Sequence, residues 1–282
     1  MRASAAEAEQ SPWETTAGGV VRYQRVPLLD GQCAALLTLN RPEQLNAIDW
    51  ETLRALRAAL DEAAGDRAVR AVLITGRGRA FCVGGDIKGF ADIQSDPVAF
   101  PRFVDTFVEI VTTIRSLDKP VIALVNGICA AGGLELVLAC DFAWAAQSAR
   151  LGDLHLNYAQ IGGAGAMTFL PRLIGPARAR ELVFSGRLLS SDEAREWALV
   201  NRVVPDADLL DEAIGFARGI ASKSPAAVGA AKHLMNSGLT TDLDSALRQE
   251  RGTALLHCLT GPDAREGVAA FVEKREPRWP AG

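Results

Sequence analysis

The sequence predicts an α/β protein in which strand–helix units occupy the chain to about residue 205 and helices alone follow. Three observations support this fold class. Short apolar runs bounded by turn residues, such as Val121–Val125, have the composition of buried parallel strands. Segments with apolar residues at every third or fourth position alternate with these runs and indicate amphipathic helices. Beyond Pro205 the strand pattern ends and four helical segments remain.

The composition is that of a folded protein with a large core. Apolar residues make up 49% and charged residues 23% of the 282 positions, which suits one large domain or a domain with an appendage. The net charge is −4 and basic tracts are absent, so we expect no binding to nucleic acid. Five cysteines without a CxxC pair indicate free thiols in a reducing compartment. Residues 1–19 lack the apolar core of a signal peptide, and we expect a mobile tail and a cytoplasmic location.

The elements follow in order. Strands are predicted at 20–25 and 34–39, joined by a hairpin turn at Asp30 and Gly31, and Asp49 predicts the N-cap of a helix over 50–64. Further strands are predicted at 71–75, 121–125, 142–146 and 199–204, and further helices at 100–117, 134–139, 176–184 and 191–199. The C-terminal region is predicted to hold helices at 206–222, 225–236, 242–259 and 262–274. A helical region with apolar faces is either a lid or an assembly surface.

The stretch from Lys119 to Phe142 predicts a reaction centre. After the strand comes an Asn-Gly turn, then small residues, then an apolar helix with Glu135 in its first turn. The helix N-terminus favours a carboxylate there, whereas apolar neighbours raise the pKa of the carboxyl group. The amides of Gly132 and Gly133 are open to a negatively charged group. An oxyanion-binding turn beside an acid/base carboxyl group is a plausible catalytic arrangement.

Two alternatives compete with this interpretation. The stretch is nearly long enough to span a bilayer, but burying Glu135 in hydrocarbon would cost roughly 2.5–3.5 kcal/mol. The Asn-Gly and Gly-Gly pairs also interrupt the helix that a span requires, so we expect no membrane span. The other alternative is a structural glutamate that bonds only to backbone. A second glycine-rich turn upstream favours the reaction centre.

That second turn, residues 76–88, follows the predicted strand at 71–75. It is not a dinucleotide-binding fingerprint, because Phe81 occupies the place of the third glycine. Strand–turn–helix geometry leaves the amides of Gly84 and Gly85 free. The turn carries three basic side chains: Arg77, Arg79 and Lys88. These side chains suit a phosphorylated ligand, although a solvated loop explains each of them individually.

Three ordered motifs resemble the crotonase, or enoyl-CoA hydratase/isomerase, superfamily: LNRPEQLNAI (39–48), AFCVGGDIK (80–88) and VNGICAAGGLELVLACD (125–141). The likeness runs from about residue 20 to 279. It implies a spiral of ββα units over 20–205. It also implies a helical oligomerisation region over 206–282 that builds homotrimers, often paired into hexamers. The implied substrate is an acyl-CoA thioester, with coenzyme A part of the substrate and no separate cofactor or metal.

The resemblance also implies roles for individual residues. Gly85 and Gly132 match the positions whose N–H groups hold the thioester oxygen, and Glu135 matches the first of two catalytic glutamates. Other matched positions are implied to contact coenzyme A: Gln44, Leu45, Val83, Asp86, Ile87 and Lys88, with Phe271 and Lys274 reaching it from a neighbouring subunit.

One departure from the family pattern matters for function. The second glutamate position falls on His155, whose imidazole can perform acid/base catalysis near neutral pH or can be a core histidine satisfied by backbone. Asp153 and Tyr158 flank it and can orient the ring or act themselves. The resemblance implies hydration of a 2-enoyl-CoA or its reverse. Alternatives are another reaction on an acyl-CoA (double-bond isomerisation, decarboxylation or C–C hydrolysis) and a CoA-thioester binding protein without turnover. A dinucleotide-dependent oxidoreductase is disfavoured by the broken glycine pattern.

Overall fold

The structure is a computed structural model that describes residues 15–16 and 19–279. The expected mobile tail, 1–19, therefore lies mostly outside the described residues. The described strands are β1 (Thr15–Thr16), β2 (Val21–Pro27), β3 (Cys33–Leu39), β4 (Val69–Gly76), β5 (Ala80–Cys82), β6 (Val121–Val125), β7 (Ile128–Ala130), β8 (Phe142–Ala146), β9 (Arg150–Gly152), β10 (Leu189–Ser190) and β11 (Arg202–Val204).

The helices come in two groups along the chain. Those of the core region are α1 (Trp50–Gly65), α2 (Ile87–Ile93), α3 (Ala99–Ser116), α4 (Gly132–Ala139), α5 (Ala166–Ile174), α6 (Pro176–Ser185) and α7 (Ser191–Glu196). Those of the C-terminal region are α8 (Leu209–Ala221), α9 (Pro225–Gly238), α10 (Leu243–Thr260) and α11 (Pro262–Glu273). Short 3-10 turns occur at Pro42–Gln44 and His155–Tyr158.

The described strands form two sheets. The larger has the order β1-β2-β3-β4-β6-β8-β11, with antiparallel pairing at β1-β2-β3 and parallel pairing from β3 onward. The smaller has the order β10-β9-β7-β5. In three successive turns the chain passes from the larger to the smaller sheet: β4 to β5, β6 to β7 and β8 to β9. This repeated passage is the predicted spiral of ββα units.

The core lies between the larger sheet and the predicted helix faces. Leu53, Leu56 and Leu60 of α1 are buried, as their spacing predicts. The stripe predicted on α3 is buried as well: Phe103, Phe107, Ile110, Val111 and Ile114. Every residue of α4 is buried, which agrees with its nearly uniform apolar sequence. The four cysteines of the core region are also buried and unpaired.

Side-chain caps fix the start of several helices. Asp49 accepts a hydrogen bond from the N–H of Thr52, as predicted for the N-cap of α1. For α7 the cap is Ser190, one residue before the predicted start at Ser191, because Ser190 and Glu193 form a reciprocal capping box. The strand predicted at 199–204 is wrong in its first half, since the N–H groups of Leu199 and Val200 both donate to Ala194 O.

The C-terminal helices differ in how they pack. α8 lies on the larger sheet, contacting β3, β4, β6 and β8, whereas α10 packs on α9 and α11 and has no buried residue. Within the described ranges, no helix combines the length and the apolar character that crossing a membrane requires.

Candidate active site

The two glycine-rich turns meet, as the sequence predicts. A Cβ atom added to Gly84 would lie 2.8 Å from the nitrogen of Gly132, and one added to Gly132 would lie 3.6 Å from the nitrogen of Gly85. The turn after β5 and the start of α4 therefore touch through their backbones. Larger residues would separate them, so the glycines permit this approach.

The N–H groups of Gly85 and Gly132 are available for a ligand. Gly85 forms a parallel β-bridge with Ile48, but its neighbours make the hydrogen bonds of that bridge. Ile48 N donates to Gly84 O, and Asp86 N donates to Ile48 O. Gly132 is the first residue of α4, where an N–H has no partner within the helix. Within residues 15–16 and 19–279, neither N–H donates a hydrogen bond. That both groups point at one oxygen remains a prediction.

Ala131 holds the second turn in an unusual conformation. Its φ of 50° and ψ of −120° lie in a region that favours glycine, directly before Gly132. Backbone strain of this kind costs about 1–3 kcal/mol and concentrates at functional sites. Sequence reasoning missed this residue, because an alanine carries no signal of positive φ.

Glu135 is buried, with 2% of its surface exposed. Its Oε1 accepts hydrogen bonds from Ala164 N at 2.7 Å and Ala166 N at 3.2 Å. Burial raises the pKa of Glu135 above its ordinary value, although these backbone donors and the nearby His155 act in the opposite direction. The glycine-rich loop at 162–165 thus places the Ala164 N–H on the carboxylate, a role that the sequence did not reveal.

His155 faces Glu135 from a 3-10 turn. Its Nε2 lies 4.0 Å from Glu135 Oε2, and its Nδ1 lies 2.9 Å from Asp153 Oδ1. Burial lowers the pKa of His155, but the hydrogen bond to Asp153 and the charges of Asp153 and Glu135 outweigh it, so the pKa is raised. The structure therefore brings the predicted His155 and Glu135 together.

Glu135 and His155 lie at a distance that one bridging water would span. A distance of 4.0 Å is too long for a direct hydrogen bond, yet one water oxygen at about 2.8 Å from each atom would bridge it. Gly162 closes one side, because a Cβ there would lie 2.8 Å from Glu135 Oε1 and 2.9 Å from His155 Cε1.

An apolar wall covers the site from α2 and α3. A Cβ atom added to Gly132 would lie 3.3 Å from Phe107 Cε1. One added to Gly163 would lie 2.9 Å from Val104 Cγ1. A Cβ atom added to Gly85 would lie 2.5 Å from Phe90 Cε2. One side of α3 thus extends from the turn at Gly132 to the loop at 162–165.

The first and second motifs contact each other outside this site. Arg41 forms ion pairs at 3.1 Å with both Asp49 and Asp86, and its Nη1 donates to Ala47 O at 2.6 Å. Asn46, which is also buried, donates to the carbonyls of Arg77 and Ala80. These contacts fix the segment at 41–48 against the turn at 84–88.

The predicted coenzyme A residues of these segments differ in exposure. Leu45 and Val83 are half-buried, whereas Gln44, Ile87 and Lys88 are exposed. The Asp86 carboxylate pairs with Arg41 and caps α2 by accepting from Lys88 N, so its contacts are internal to the turn.

The remaining predicted residues are exposed. Phe271 is 86% exposed on α11, and Lys274 follows the end of that helix in a left-handed conformation. Tyr158 is 64% exposed, unlike its neighbour His155. The binding roles of all these residues remain predictions.

Comparison with known proteins agrees with this geometry. The family model described as enoyl-CoA hydratase/isomerase matches residues 31–281. The chain belongs to this family. It is 35% identical to the crotonyl-CoA hydratase of Syntrophomonas wolfei over 91% of this chain and 98% of that protein. It is 37% identical to the 1,2-epoxyphenylacetyl-CoA isomerase of Escherichia coli over 86% of this chain and 93% of that protein.

Solved structures of the family share the fold. The crystal structure of an enoyl-CoA hydratase from Bacillus anthracis superimposes with a TM-score of 0.87 at 37% identity, covering 94% of this chain and 100% of that one. The crotonase fold expected from the three motifs is thereby confirmed.

Proposed function

We propose that this member of the enoyl-CoA hydratase/isomerase family adds water to a 2-enoyl-CoA thioester, and catalyses the reverse dehydration. The observation that carries the proposal is the pair of acid/base groups, Glu135 and His155, facing each other across 4.0 Å beside two touching glycine turns. The 35% identical crotonyl-CoA hydratase supports the same reaction class.

In this mechanism the N–H groups of Gly85 and Gly132 bind the thioester oxygen. They stabilise the negative charge that develops on that oxygen as water attacks, an effect worth about 2.7–4 kcal/mol per donor in comparable sites. The approach of the two backbones supports this role, because both nitrogens lie at the contact between the turns.

Glu135 and His155 exchange protons with the substrate. The Glu135 carboxylate removes a proton from the bridging water through Oε2, while the water oxygen bonds to Cβ and the double-bond electrons move to the thioester oxygen. The protonated His155 then donates its Nε2 proton to Cα as the carbonyl re-forms. One water has been added, and transfer of a proton from Glu135 to His155 restores the starting state.

The carboxylate–imidazolium pair that this mechanism needs is consistent with the surroundings of both groups. Two backbone N–H groups bind the carboxylate of Glu135. Asp153 stabilises a positive charge on His155. We place Glu135 as the base and His155 as the acid for hydration, with the roles reversed for dehydration.

The remaining predictions belong to the same proposal. Coenzyme A lies along the surface formed by Gln44, Leu45, Val83, Asp86, Ile87 and Lys88. A second copy of the chain reaches it with Phe271 and Lys274. The exposed leucines of α10 support a homotrimer or a dimer of trimers. The unpaired cysteines support a cytoplasmic location.

A second candidate reaction is isomerisation of an acyl-CoA on the same site. The 37% identical 1,2-epoxyphenylacetyl-CoA isomerase favours it. The same oxyanion turns would serve, and only the fate of the proton and the presence of attacking water would differ. Mass spectrometry of the products separates the two, because hydration adds the mass of one water and isomerisation adds none.

The test is turnover of crotonyl-CoA by the wild-type protein and by Glu135→Gln. We expect hydration by the wild type and a loss of about 10²–10⁴-fold in kcat for the variant, because the base is removed at constant side-chain size. Glu62→Gln, at an exposed carboxylate on α1, is the matched control and should retain the wild-type rate. Binding of a panel of enoyl-CoA thioesters without turnover would instead indicate a binding protein.

A further inference from the structure

We propose that Asp153 is a positioning residue that holds His155 with its Nδ1 protonated and its Nε2 aimed at Glu135. This inference rests on the proposed function, in which His155 supplies the acid. It assigns to a third side chain the orientation and charge of the group that replaces the family's second glutamate.

Asp153 is fully buried directly after β9, with 0% of its surface exposed. Its Oδ1 accepts from His155 N at 3.1 Å and lies 2.9 Å from His155 Nδ1. Its Oδ2 makes no hydrogen bond within the described part of the chain. Within the described residues, the hydrogen bonds of this buried carboxylate are therefore all with His155.

This contact selects one tautomer of the ring. An ionised carboxylate only accepts hydrogen bonds, so Nδ1 must carry a proton when it bonds to Asp153. The second proton of the ring is then the one on Nε2, which faces Glu135 Oε2. Loss of that proton leaves a lone pair at the same place, so His155 can donate and accept protons at a single fixed position.

The same contact sets the charge of the ring. The titratable groups that act on His155 are Asp153, which precedes it in the chain, and Glu135 on α4. The loop that precedes α5 packs against the ring through Gly162, which carries no charge. Both carboxylates favour the imidazolium, and only Asp153 bonds to the ring directly.

The first measurement uses the wild-type protein. The chain has three histidines, His155, His233 and His257, so labelled histidine signals can be assigned with His233→Gln and His257→Gln. Nitrogen-15 NMR of the ring should show the neutral form of His155 protonated on Nδ1. A neutral form protonated on Nε2 would overturn the proposal without reference to any variant.

The second measurement compares Asp153→Asn with Asp118→Asn. Asp118 pairs with the exposed His233 at 2.7 Å and provides the matched control. Asp153→Asn should lower the pKa of His155 in the NMR titration and lower the upper pKa of the kcat profile. We expect kcat to fall about 10²-fold, within the range for loss of an acid/base group. Asp118→Asn should leave both readouts of His155 unchanged.

The outcomes separate a positioning role from a structural one. A drop in kcat with no change in the tautomer, the pKa of His155 or the pH profile would contradict the proposal and leave Asp153 as packing only. The NMR results do not depend on turnover, so they stand or fall separately from hydration of crotonyl-CoA. If Asp153→Asn does not fold, the tautomer of the wild type decides alone.

Discussion

At the scale of single residues, the two oxygens of Glu135 have different tasks. Oε1 accepts from two backbone N–H groups, and Oε2 faces the ring of His155. The first oxygen anchors the side chain, so the second is held at a defined place opposite the ring, as the proposed proton transfer requires. Precise placement of this kind contributes directly to catalysis.

Gly162 tests how closely Glu135 and His155 must be held. In Gly162→Ala the new methyl group would lie 2.8 Å from Glu135 Oε1 and 2.9 Å from His155 Cε1, so one of the two must move. We expect kcat for crotonyl-CoA to fall about 10²-fold with little change in thermal stability. Gly89→Ala, where a Cβ meets nothing within 4 Å, should keep the wild-type kcat.

The pH profile of kcat follows from the pKa shifts of the same pair. Hydration needs Glu135 ionised and His155 protonated. Activity should fall below the pKa of Glu135, which burial raises above the ordinary carboxyl value. It should also fall above the pKa of His155, which Asp153 and Glu135 raise above the ordinary imidazole value despite burial. A rate that continues to rise with pH past the titration of His155 would contradict its role as the acid.

At the scale of elements, prediction from sequence succeeded where the pattern was long and failed where it was short. The stripe of Phe103 and Phe107 on α3 and the cap at Asp49 of α1 were both predicted. The smaller sheet was not, because its strands have only two or three residues each and show no usable periodicity. α5 was also missed, since Pro171 lies inside it.

The candidate site could be anticipated from the sequence only in part. Glycine density and an acidic residue in an apolar helix identified both turns and Glu135. The partners of Glu135 could not be predicted, because Ala164 and Ala166 act through backbone N–H groups that carry no side-chain signal. The sequence offered both Asp153 and Tyr158 as residues that can orient His155, and coordinates were needed to choose between them, since a neighbour in sequence need not contact the ring.

Lys232 connects elements that are far apart in the chain. This buried side chain of α9 donates to Ile114 O at 2.9 Å and Lys119 O at 3.0 Å, and pairs with Asp141 at 2.8 Å. Lys232→Met should lower the free energy of unfolding by about 3 kcal/mol, because the Asp141 carboxylate loses its ion pair and two backbone carbonyls lose a buried donor.

Urea denaturation measures this effect. His233→Gln, which breaks an exposed pair on the same helix, should cost less than about 1 kcal/mol. Equal losses for the two variants would show that Lys232 contributes no more than a surface charge. The activity of folded Lys232→Met should stay close to that of the wild type, since α9 supplies no proposed catalytic residue.

At the scale of the whole molecule, the exposed face of α10 suggests self-association. Its apolar side chains include Leu243, Leu247, Leu255, Leu256 and Leu259, all of them exposed. Burying one such side chain against a second copy would contribute about 1.5–3 kcal/mol. The same association would bring Phe271 and Lys274 of one copy near the predicted coenzyme A residues of another, as the family pattern implies.

Leu256→Asp together with Leu259→Asp tests this surface. We expect analytical ultracentrifugation to show a homotrimer or hexamer for the wild type and a smaller species for the variant. The control Leu29→Asp, in the loop between β2 and β3, should retain the wild-type mass. A wild-type protein that sediments as a monomer would contradict the proposed assembly.

The most direct measurement is a crystal structure with butyryl-CoA, the saturated analogue of the proposed substrate. The thioester oxygen should lie within about 3 Å of the nitrogens of both Gly85 and Gly132. Its Cα and Cβ should lie beside the space between Glu135 and His155. A thioester bound elsewhere, such as in the 610 Å³ cavity lined by Arg67, Arg70 and α9, would contradict the account.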